Sequence, residues 1–519
     1  MSRTVPLHAA SPAPLAVEKR RRAAGARASP DHKATLGQFF TPAPVAQLMA
    51  AMFGPFPRSV RLLDAGAGVG SLTAAFVDAA LASPAPPARL VITAVEVDAA
   101  VRAELKETLA EAKRAGRAGG IHVEARVVGS DFLSTAAGWL RGDLFGADSS
   151  ERFDAAILNP PYKKLGSNSA ERRLLRQLGL EATNLYAAFV ALAARLLAPD
   201  GELVAITPRS FCNGPYFRAY RHLLLDEVAL HRIHLFEARD LAFADDKVLQ
   251  ENVIVHAVRS AARRSTVLVT RSLAAGDART ASRKVPLTEL VDPNDPERFI
   301  HLPSDESDRE TAAVARAWPC TLAQLGIEVS TGRVVDFRCR EALRPQPVPH
   351  SAPLIYPIHC RGGLVRWPLA ETRKPQALMV DEETRGALMP VGPYVVVRRF
   401  SSKEERRRVV PSLFDESSVT GNQVAFENHL NVFHRRGRPL PLELARGLAV
   451  FLGSTLVDQY FRQFNGHTQV NATDLRSLRY PAVAALCEMG SNSAVGLPDQ
   501  ATIDRLVSAH GTRDVVSAR

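Results

Sequence analysis

Short apolar runs alternate with longer helical stretches between residues 34 and 260, and this alternation limits the possible folds of the chain. The β-like runs fall near residues 60–65, 90–96, 123–128, 153–158, 202–207, 231–236 and 252–258, with helical patterns such as 43–53, 71–82, 98–114 and 184–198 between them. Strands that alternate with helices in this way form mostly parallel sheets. The sequence therefore predicts a doubly wound, mostly parallel α/β domain over residues 34–260.

The rest of the chain divides by composition. A length of 519 residues is too great for one ordinary core, so two domains are expected. Residues 1–33 are rich in Ala, Pro and Arg without a hydrophobic period, which predicts a disordered basic tail. The Arg, Ser, Thr, Asp and Pro of residues 261–310 indicate a linker. A second, α+β domain is expected over residues 311–485, and a flexible tail over residues 486–519.

Composition also restricts the class of protein. With 46% apolar and 23% charged residues, the chain is predicted to be globular. No apolar run approaches the roughly 18 to 20 residues that span a bilayer, and the start of the chain lacks the apolar core of a signal peptide, so a cytoplasmic protein without a membrane partner is expected. Five scattered cysteines predict reduced thiols rather than disulfides or structural zinc. The net charge of +11 favours a polyanionic partner, although basic surfaces also occur in proteins that bind no nucleic acid.

A glycine-rich loop follows the first β-like run, in the sequence Asp64-Ala65-Gly66-Ala67-Gly68-Val69-Gly70. Glycines let the backbone turn sharply and approach a ligand closely, and the following helix offers free N–H groups. Dinucleotide enzymes use similar loops, so the loop alone is weak support for any one ligand. Asp64 is more informative, because a ligand with an amino group would need a carboxylate at this position.

Carboxylates also follow the next two β-like runs. Glu96 closes the second run, where a carboxylate can bind both hydroxyls of a ribose, whereas Asp98 is explained as a helix cap. After the third run, Asp131 could accept a hydrogen bond from an adenine amine while Phe132 covers the ring. The alternative for Asp131 is again a helix cap.

The fourth β-like run ends in Asn159-Pro160-Pro161-Tyr162. The prolines fix their own φ angles and push Asn159 toward an extended conformation, so its amide and the adjacent carbonyls form a preset row of acceptors. Tyr162 adds a flat ring beside them. Such a corner suits a planar group with an exocyclic NH2, made nucleophilic without a charged base. An ordinary Asn-Pro turn is the alternative.

Together these motifs resemble those of S-adenosylmethionine-dependent methyltransferases, and among them the DNA adenine methyltransferases that methylate an amino group. The segment Gly37-Gln38-Phe39-Phe40-Thr41-Pro42 is a further match, because in that family it packs over the methionine end of the cofactor. The order of the motifs is that of the gamma class, which includes Eco57I-like restriction-modification methylases. The resemblance implies a seven-stranded, Rossmann-like class I fold with S-adenosylmethionine as cofactor. The implied cofactor-binding residues are Phe40, Thr41, Asp64, Gly66, Gly68, Glu96, Asp131 and Phe132.

The resemblance also implies a catalytic set. The Asn159 side-chain oxygen and the Pro160 carbonyl would pull on both N–H bonds of an adenine amine, within the rigid corner that Pro161 completes. Tyr162 would stack on the base, and Phe243 is the predicted second ring. Positioned dipoles make a charged base and a metal unnecessary, and the proton leaves after transfer. Turning the base out of the duplex costs a few kcal/mol, and stacking at about 1 to 3 kcal/mol per ring can offset this cost.

The second domain is expected to recognise DNA. Residues 331–410 contain 15 Lys and Arg against 8 Asp and Glu, and such residues suit phosphates and guanine edges. A solvated charged surface is the alternative. Polar loops at 331–338 and 465–471 are candidate base readers. The candidate DNA-binding residues are Arg333, Arg338, Arg398, Arg399 and Arg407.

Three functions remain open on the sequence. The preferred one is a site-specific DNA adenine methyltransferase, with cytosine amine methylation as a close variant. The second is an RNA or protein glutamine methyltransferase with the same tetrapeptide, although the basic second domain disfavours a protein substrate. The third is a non-catalytic DNA-binding subunit, which the intact tetrapeptide disfavours. We expect a monomer that binds double-stranded DNA, without a fused nuclease; a separate restriction endonuclease is a compatible partner.

Overall fold

The computed structural model describes residues 12–29, 31, 37, 39–142, 151–237, 251–260, 264–277, 280–303, 305–401, 404–419, 421–466, 468–493 and 496–517. The chain divides into two compact units, Met1–Phe299 and Ile300–Arg519. In the described part of the chain, no helix is long and apolar enough to cross a membrane. All five cysteines are free thiols.

The first unit contains a nine-stranded sheet with the strand order β3-β2-β1-β4-β5-β7-β6-β8-β9. Its strands are β1 (Ser59–Ala65), β2 (Arg89–Val95), β3 (His122–Val128), β4 (Phe153–Leu158), β5 (Leu197–Pro208), β6 (Ala229–Phe236), β7 (Asn252–Val258), β8 (Thr266–Ser272) and β9 (Ala281–Pro286). Strands β1 to β5 pair in parallel, whereas β7 is antiparallel to both β5 and β6. This arrangement confirms the predicted doubly wound, mostly parallel sheet, although the sheet has nine strands and not the predicted seven.

Helices connect the strands of this sheet. They are α1 (Pro12–Arg27), α2 (Ala43–Ala50), α3 (Ser71–Leu81), α4 (Arg102–Ala118), α5 (Phe132–Arg141), α6 (Ala170–Gln177), α7 (Leu185–Leu196), α8 (Arg218–Glu227) and α9 (Leu287–Leu290). The chain runs outward from β1 through β2 to β3, then returns to the other side of β1 with β4. Loops on the two sides of such a reversal diverge, which leaves a crevice at the carboxyl ends of β1 and β4. The predicted site residues follow those strand ends.

The predicted linker over residues 261–310 is wrong for the part that forms β8, β9 and α9. Strand β8 pairs in parallel with β6 over five residues, and β9 pairs antiparallel with β8. Val267 and Val269 of β8 are buried, whereas β9 is a mostly exposed edge strand. An edge strand needs few apolar residues, so its composition resembles that of a loop.

Both predicted tails contain ordered helices. Residues 12–27 form α1, in which Val17 and Ala24 are buried and the Arg20 guanidinium donates to Glu111 of α4 at 2.9 Å. At the other end, Val483–Ser491 and Gln500–Ser517 are helical, with buried apolar side chains in each. Residues 12–27 are rich in Ala, and small side chains hide a buried helix face from a search for hydrophobic periodicity.

The second unit is an α+β domain, as predicted. Its six-stranded sheet has the order β10-β20-β17-β18-β14-β13, and its five-stranded sheet has the order β11-β15-β12-β19-β16. The strands are β10 (Glu328–Thr331), β11 (Leu343–Arg344), β12 (Ser351–Ile355), β13 (Cys360–Arg361), β14 (Leu364–Val365), β15 (Ala377–Met379), β16 (Leu388–Pro390), β17 (Tyr394–Arg398), β18 (Pro411–Phe414), β19 (Gln423–Phe426) and β20 (Leu430–His434). The helices are α10 (Glu306–Ala317), α11 (Leu442–Leu452), α12 (Thr455–Phe464), α13 (Ala472–Arg476), α14 (Val483–Ser491) and α15 (Gln500–Ser517).

Candidate active site

A cleft of about 740 Å³, open to solvent at its mouth, lies at the carboxyl ends of β1, β2 and β4 in the first unit. It brings together most of the residues predicted for the cofactor and for catalysis. The predicted residues that line it are Phe40, Thr41, Gly66, Gly68, Glu96, Asp131, Phe132, Asn159 and Pro161. Three of the predicted residues, Asp64, Pro160 and Tyr162, are not among its lining residues.

The glycine loop forms the floor of this cleft because its backbone adopts conformations that other residues avoid. Gly66, Gly68 and Gly70 have φ angles of 76°, 54° and 87°, and only glycine adopts this left-handed region without strain. A Cβ at Gly68 would also lie 3.2 Å from the Phe40 ring. Gly70 then precedes the first residue of α3. The loop therefore leaves room for a ligand against bare backbone.

Glu96 holds the glycine loop in this shape. Its Oε2 accepts a hydrogen bond from the Gly68 amide at 2.7 Å, and its Oε1 accepts one from the Asp98 amide at 2.7 Å. Burial raises the pKa of Glu96, and the two hydrogen bonds lower it. Burial is the larger effect, so the pKa lies above its usual range. A carboxylate has about four lone-pair sites, so Glu96 keeps acceptor capacity toward the cleft. Asp98 accepts from Ala100 N at 2.9 Å in a turn before α4, whose N-cap is Val101.

Asp131 and Phe132 occupy the third strand end. Asp131 is the N-cap of α5, because its Oδ2 accepts a hydrogen bond from the Ser134 amide at 2.8 Å. The alternative reading as a helix cap is therefore correct, although Asp131 also lines the cleft. Phe132 is buried, with its ring centroid 4.8 Å from that of Phe189. These two rings form an apolar wall of the cleft.

Asp64 lies behind the loop rather than in the cleft. It is fully buried, and its Oδ2 accepts a hydrogen bond from the Thr73 hydroxyl at 2.6 Å. Its Oδ1 is also buried and has no hydrogen-bond partner. Burial raises the pKa of this carboxyl from 3.8 to about 7. The geometry thus joins Asp64 to the start of α3.

Asn159 presents one free acceptor at the cleft. Its Nδ2 donates to the Phe39 carbonyl at 2.9 Å and to the Thr41 hydroxyl at 3.0 Å. The Phe39 carbonyl can only accept, so the amide nitrogen must point toward it and the amide oxygen must point away. That oxygen, Oδ1, is buried without a partner. Because a buried acceptor without a partner is costly, it is a group that a donor from a ligand would satisfy.

Tyr162 is held beside this corner by backbone and aromatic contacts. Its amide donates to the Gly37 carbonyl at 3.0 Å, and its ring centroid lies 5.5 Å from Phe39 and 6.1 Å from Tyr186. The hydroxyl is buried without a partner, and burial raises its pKa above the usual range. A neutral phenol at any physiological pH follows. The second predicted ring, Phe243, lies outside the described residues.

Sequence reasoning missed two members of the site. Phe189 of α7 lines the cleft, and the Phe39 carbonyl orients Asn159. Phe189 belongs to an almost wholly apolar helix, in which no periodicity separates a ligand-facing ring from core residues. The role of Phe39 is carried by its backbone, which no side-chain pattern reports.

Four of the five predicted DNA-binding arginines of the second unit fall into two groups. Arg333 and Arg338 line a second, more open cleft of about 1200 Å³, where the Arg338 guanidinium lies 5.6 Å from the exposed Phe337 ring. Arg398 pairs with Glu405 at 2.6 Å, and Arg399 donates to the Asn428 carbonyl at 3.3 Å. Arg333 and Arg338 are exposed, whereas Arg398 and Arg399 are half-buried.

Arg407 and Asn465 make contacts inside the second unit. The Arg407 guanidinium donates to the Ser454 carbonyl at 2.9 Å and to the Thr455 hydroxyl at 3.1 Å, at the start of α12. Asn465 is fully buried and accepts from Arg408 at 2.6 Å. These contacts use two nitrogens of the Arg407 guanidinium and the Oδ1 of Asn465 inside the unit, whereas a DNA contact at Arg407 and base reading by the loop at 465–471 stay predictions.

The strand order, the antiparallel β7 and the cleft over the glycine loop define the fold of class I methyltransferases. Among solved structures, the type IIL restriction-modification enzyme MmeI in complex with DNA superimposes with a TM-score of 0.50 at 10% identity, over 97% of this chain and 76% of that one. At this identity the likeness concerns the fold alone.

Sequence comparison identifies the family. The model of the Eco57I restriction-modification methylase family matches residues 121–243. The type II methyltransferase M.PstI of Providencia stuartii is 43% identical over 494 residues, which cover 95% of this chain and 96% of that protein. M.BsuBI of Bacillus subtilis is 44% identical over 464 residues, or 88% and 90% of the two chains. The chain belongs to this family of restriction-modification methyltransferases.

Proposed function

We propose that this protein is a site-specific DNA methyltransferase that transfers a methyl group from S-adenosylmethionine to the N6 amine of an adenine turned out of the duplex, in a restriction-modification setting. The observation that carries the proposal is the buried Asn159 Oδ1, which has no partner and lies in the wall of the cleft over the glycine loop. The family membership supports methyl transfer and its restriction-modification setting.

The cleft fits the cofactor in the chemistry of its lining. Glu96 retains lone pairs that suit the ribose hydroxyls, and the wall of Phe132 and Phe189 suits the adenine ring. Asp131 keeps one carboxylate oxygen beside its cap bond for the adenine amine. Asp64 does not line the cleft, so we assign it to the support of the loop rather than to direct contact with the amino group. When bound, the cofactor would supply an electrophilic methyl on a sulfonium.

Asn159 would activate the amine because its Oδ1 would accept a hydrogen bond from one of the two amine N–H groups. The lone pair of an adenine amine is delocalised into the ring, and acceptors on its N–H bonds localise it for attack. Phe39 and Thr41 fix the Asn159 amide before the base arrives, so little reorganisation is needed at the moment of reaction. Asn159 Oδ1 would hold one N–H of the amine while the nitrogen takes the methyl from the sulfonium, and the amine proton would then pass to water.

Tyr162 would hold the base by stacking. The ring is already fixed by Phe39 and Tyr186, so a base would bind without ordering a mobile side chain. Stacking of about 1 to 3 kcal/mol offsets part of the cost of turning the base out of the duplex. Arg333 and Arg338 are the arginines that we retain as DNA contacts of the second unit, because both line an open cleft.

Expression in a host that lacks DNA methylation, followed by sequencing of its genomic DNA for modified bases, tests this proposal. We expect N6-methyladenine at one short sequence motif. Modified cytosine at that motif, or unmodified DNA despite folded protein that binds S-adenosylmethionine, would refute the adenine assignment.

A further inference from the structure

The segment directly after Tyr162 carries a strong positive charge. Residues 163–177 contain five basic residues and a single acidic one, Glu171. We call these five residues, Lys163, Lys164, Arg172, Arg173 and Arg176, the basic rim. All are exposed except Arg172, which is half-buried. The sequence prediction sought DNA contacts in the second unit and overlooked this rim, which begins one residue from the catalytic tetrapeptide.

The rim is fixed to the catalytic corner by backbone hydrogen bonds. The Leu165 amide donates to the Thr183 carbonyl at 2.8 Å, and the Leu185 amide donates to the Lys163 carbonyl at 2.8 Å. Helix α6 follows with Ser169 as its cap and Leu175 buried beneath it. The cations are therefore carried on a segment with a defined backbone position relative to Asn159.

The rim is also braced internally by its own arginines. Arg173 donates to the Asn168 carbonyl at 2.6 Å, and Arg176 donates to the Ser167 carbonyl at 3.4 Å. These bonds use one nitrogen of each guanidinium, whereas an arginine has five N–H donors. Each exposed guanidinium thus keeps donors for an anion.

An exposed aromatic ring accompanies the basic rim. Tyr216 is 74% exposed, although burying a tyrosine ring is normally favourable. Its carbonyl accepts a hydrogen bond from the Thr183 hydroxyl at 3.3 Å, in the segment that pairs with the rim. The next residue, Phe217, stacks on Tyr186 at 5.5 Å, and Tyr186 packs against Tyr162. The backbone of Tyr216 is therefore anchored beside the aromatic cluster of Phe217, Tyr186 and Tyr162.

We propose that the basic rim and Tyr216 form a DNA-contact surface of the catalytic unit itself, in which the cations bind backbone phosphates and Tyr216 stacks on a base beside the extruded one. This inference rests on the proposed function. Cations suit phosphates, and a ring suits a base face left uncovered when its neighbour leaves the stack. The surface positions the duplex over Asn159 and reads no sequence, because phosphate contacts carry no sequence information.

The charge part of the inference is tested with the full chain carrying Lys163→Gln and Lys164→Gln. The matched control carries Lys106→Gln and Arg117→Gln, two exposed cations of α4 in the same unit. Binding is measured over a range of salt concentrations on two unmethylated duplexes. One contains the sequence motif that the wild type methylates, and the other lacks it. Each lost phosphate contact lowers the slope of log Kd against log salt by about 0.9. We expect the rim variant to lose about 2 from this slope, and affinity on the order of tenfold or more, on both duplexes.

The aromatic part is tested with Tyr216→Ala and Tyr216→Phe. Loss of stacking by the alanine variant should weaken binding of the motif duplex about fivefold or more, while the phenylalanine variant retains it. Cofactor affinity should stay unchanged in both. Equal losses in the two variants would refute stacking by the ring.

The outcomes separate this inference from the proposed function. A rim variant that matches its α4 control in affinity and salt slope, while the wild type methylates adenine, overturns the contact surface alone. A wild type that binds both duplexes with the expected salt dependence but leaves adenine unmodified overturns the proposed reaction and leaves the surface standing.

Discussion

At the scale of single residues, Asn159 is defined by what its two amide atoms contact. Its nitrogen is held by Phe39 and Thr41, and its oxygen is buried without a partner. In an ordinary turn an asparagine side chain usually bonds its own backbone nearby. Here it bonds residues about 120 positions earlier in the chain, so the folded structure uses it to present an acceptor.

Replacing Asn159 with alanine tests this role. We expect kcat to fall by about 100-fold or more, because a preorganised polar group at the reacting atom is lost. Cofactor affinity, measured by calorimetry, should change little, since the assigned cofactor contacts are Glu96, Asp131 and the wall of Phe132. Near-normal turnover in the variant would contradict the mechanism.

Asp64 makes the stability of the protein depend on pH. Burial raises its pKa from 3.8 to about 7, so the folded state binds a proton that the unfolded state has released between roughly pH 4 and 7. The contribution of this group to the free energy of unfolding is therefore complete below about pH 4 and is lost as the pH rises toward 7. The Asp64→Asn variant keeps the shape of the side chain without this titration.

We accordingly expect the melting temperature of the wild type to fall relative to Asp64→Asn as pH rises from 5 to 8, in protein free of cofactor. Thermal melting of both proteins across this range measures the difference. Parallel melting curves would show that the buried carboxyl does not titrate in this way.

At the scale of secondary structure elements, α1 stabilises the wall of the cofactor cleft. Ala24 of α1 packs with Phe40, Val69 and Val101 in one buried cluster, and Phe40 also lines the cleft. Arg20 and Arg27 pair with Glu111 and Glu104 of α4. The Arg20–Glu111 pair is half-buried and Arg27 is exposed. Ion pairs near the surface contribute little free energy, so the apolar contacts carry most of the attachment.

Enlarging this contact should therefore weaken cofactor binding. Ala24→Leu overfills the cluster at a cost of about 1 to 3 kcal/mol and displaces Phe40. Ala23→Leu is the matched control, because Ala23 directly precedes Ala24 in α1 and is exposed. We expect S-adenosylmethionine affinity, measured by calorimetry, to fall for Ala24→Leu alone; equal affinities would show that α1 and the cleft are independent.

At the scale of the whole molecule, the first unit extends well past the end of the motifs. Strands β8 and β9 complete its sheet, and His234 of β6 bonds the hydroxyls of Thr270 and Ser272 in β8 at 2.9 and 3.0 Å. A fragment that ends at residue 260 would expose the edge of β6 and leave this buried histidine without its partners. Exposed strand edges promote aggregation.

A fragment of residues 1–299 should consequently fold and bind S-adenosylmethionine, whereas a fragment of residues 1–260 should be insoluble or melt at a much lower temperature. Expression of both fragments, followed by circular dichroism and calorimetry, measures this. Equal stability of the two would place the domain boundary at residue 260.

The apolar pattern predicted seven of the nine strands of the first sheet and the order of the site loops. The apolar run 155–158 falls within β4 (Phe153–Leu158) and is fully buried, because a strand covered on both faces needs a near-continuous apolar stretch. Glycines at Gly66 and Gly68, and the corner at Asn159, were also recognisable, since each depends on backbone restrictions of its own residue types. Restrictions that act within a few neighbouring residues produce short sequence motifs, and such motifs are recognisable before the structure is known.

Contacts between distant parts of the chain determine how those residues are used. The fold placed Asp64 behind the loop, left the oxygen of the cleft-lining Asn159 buried without a partner, and joined Arg407 to the start of α12. The fold also includes α1, β8 and β9. The apolar content of these segments is modest, so the sequence alone did not show that they pack against other elements. These outcomes depend on contacts between residues far apart in the chain, and the free energy of such contacts is invisible in either segment alone.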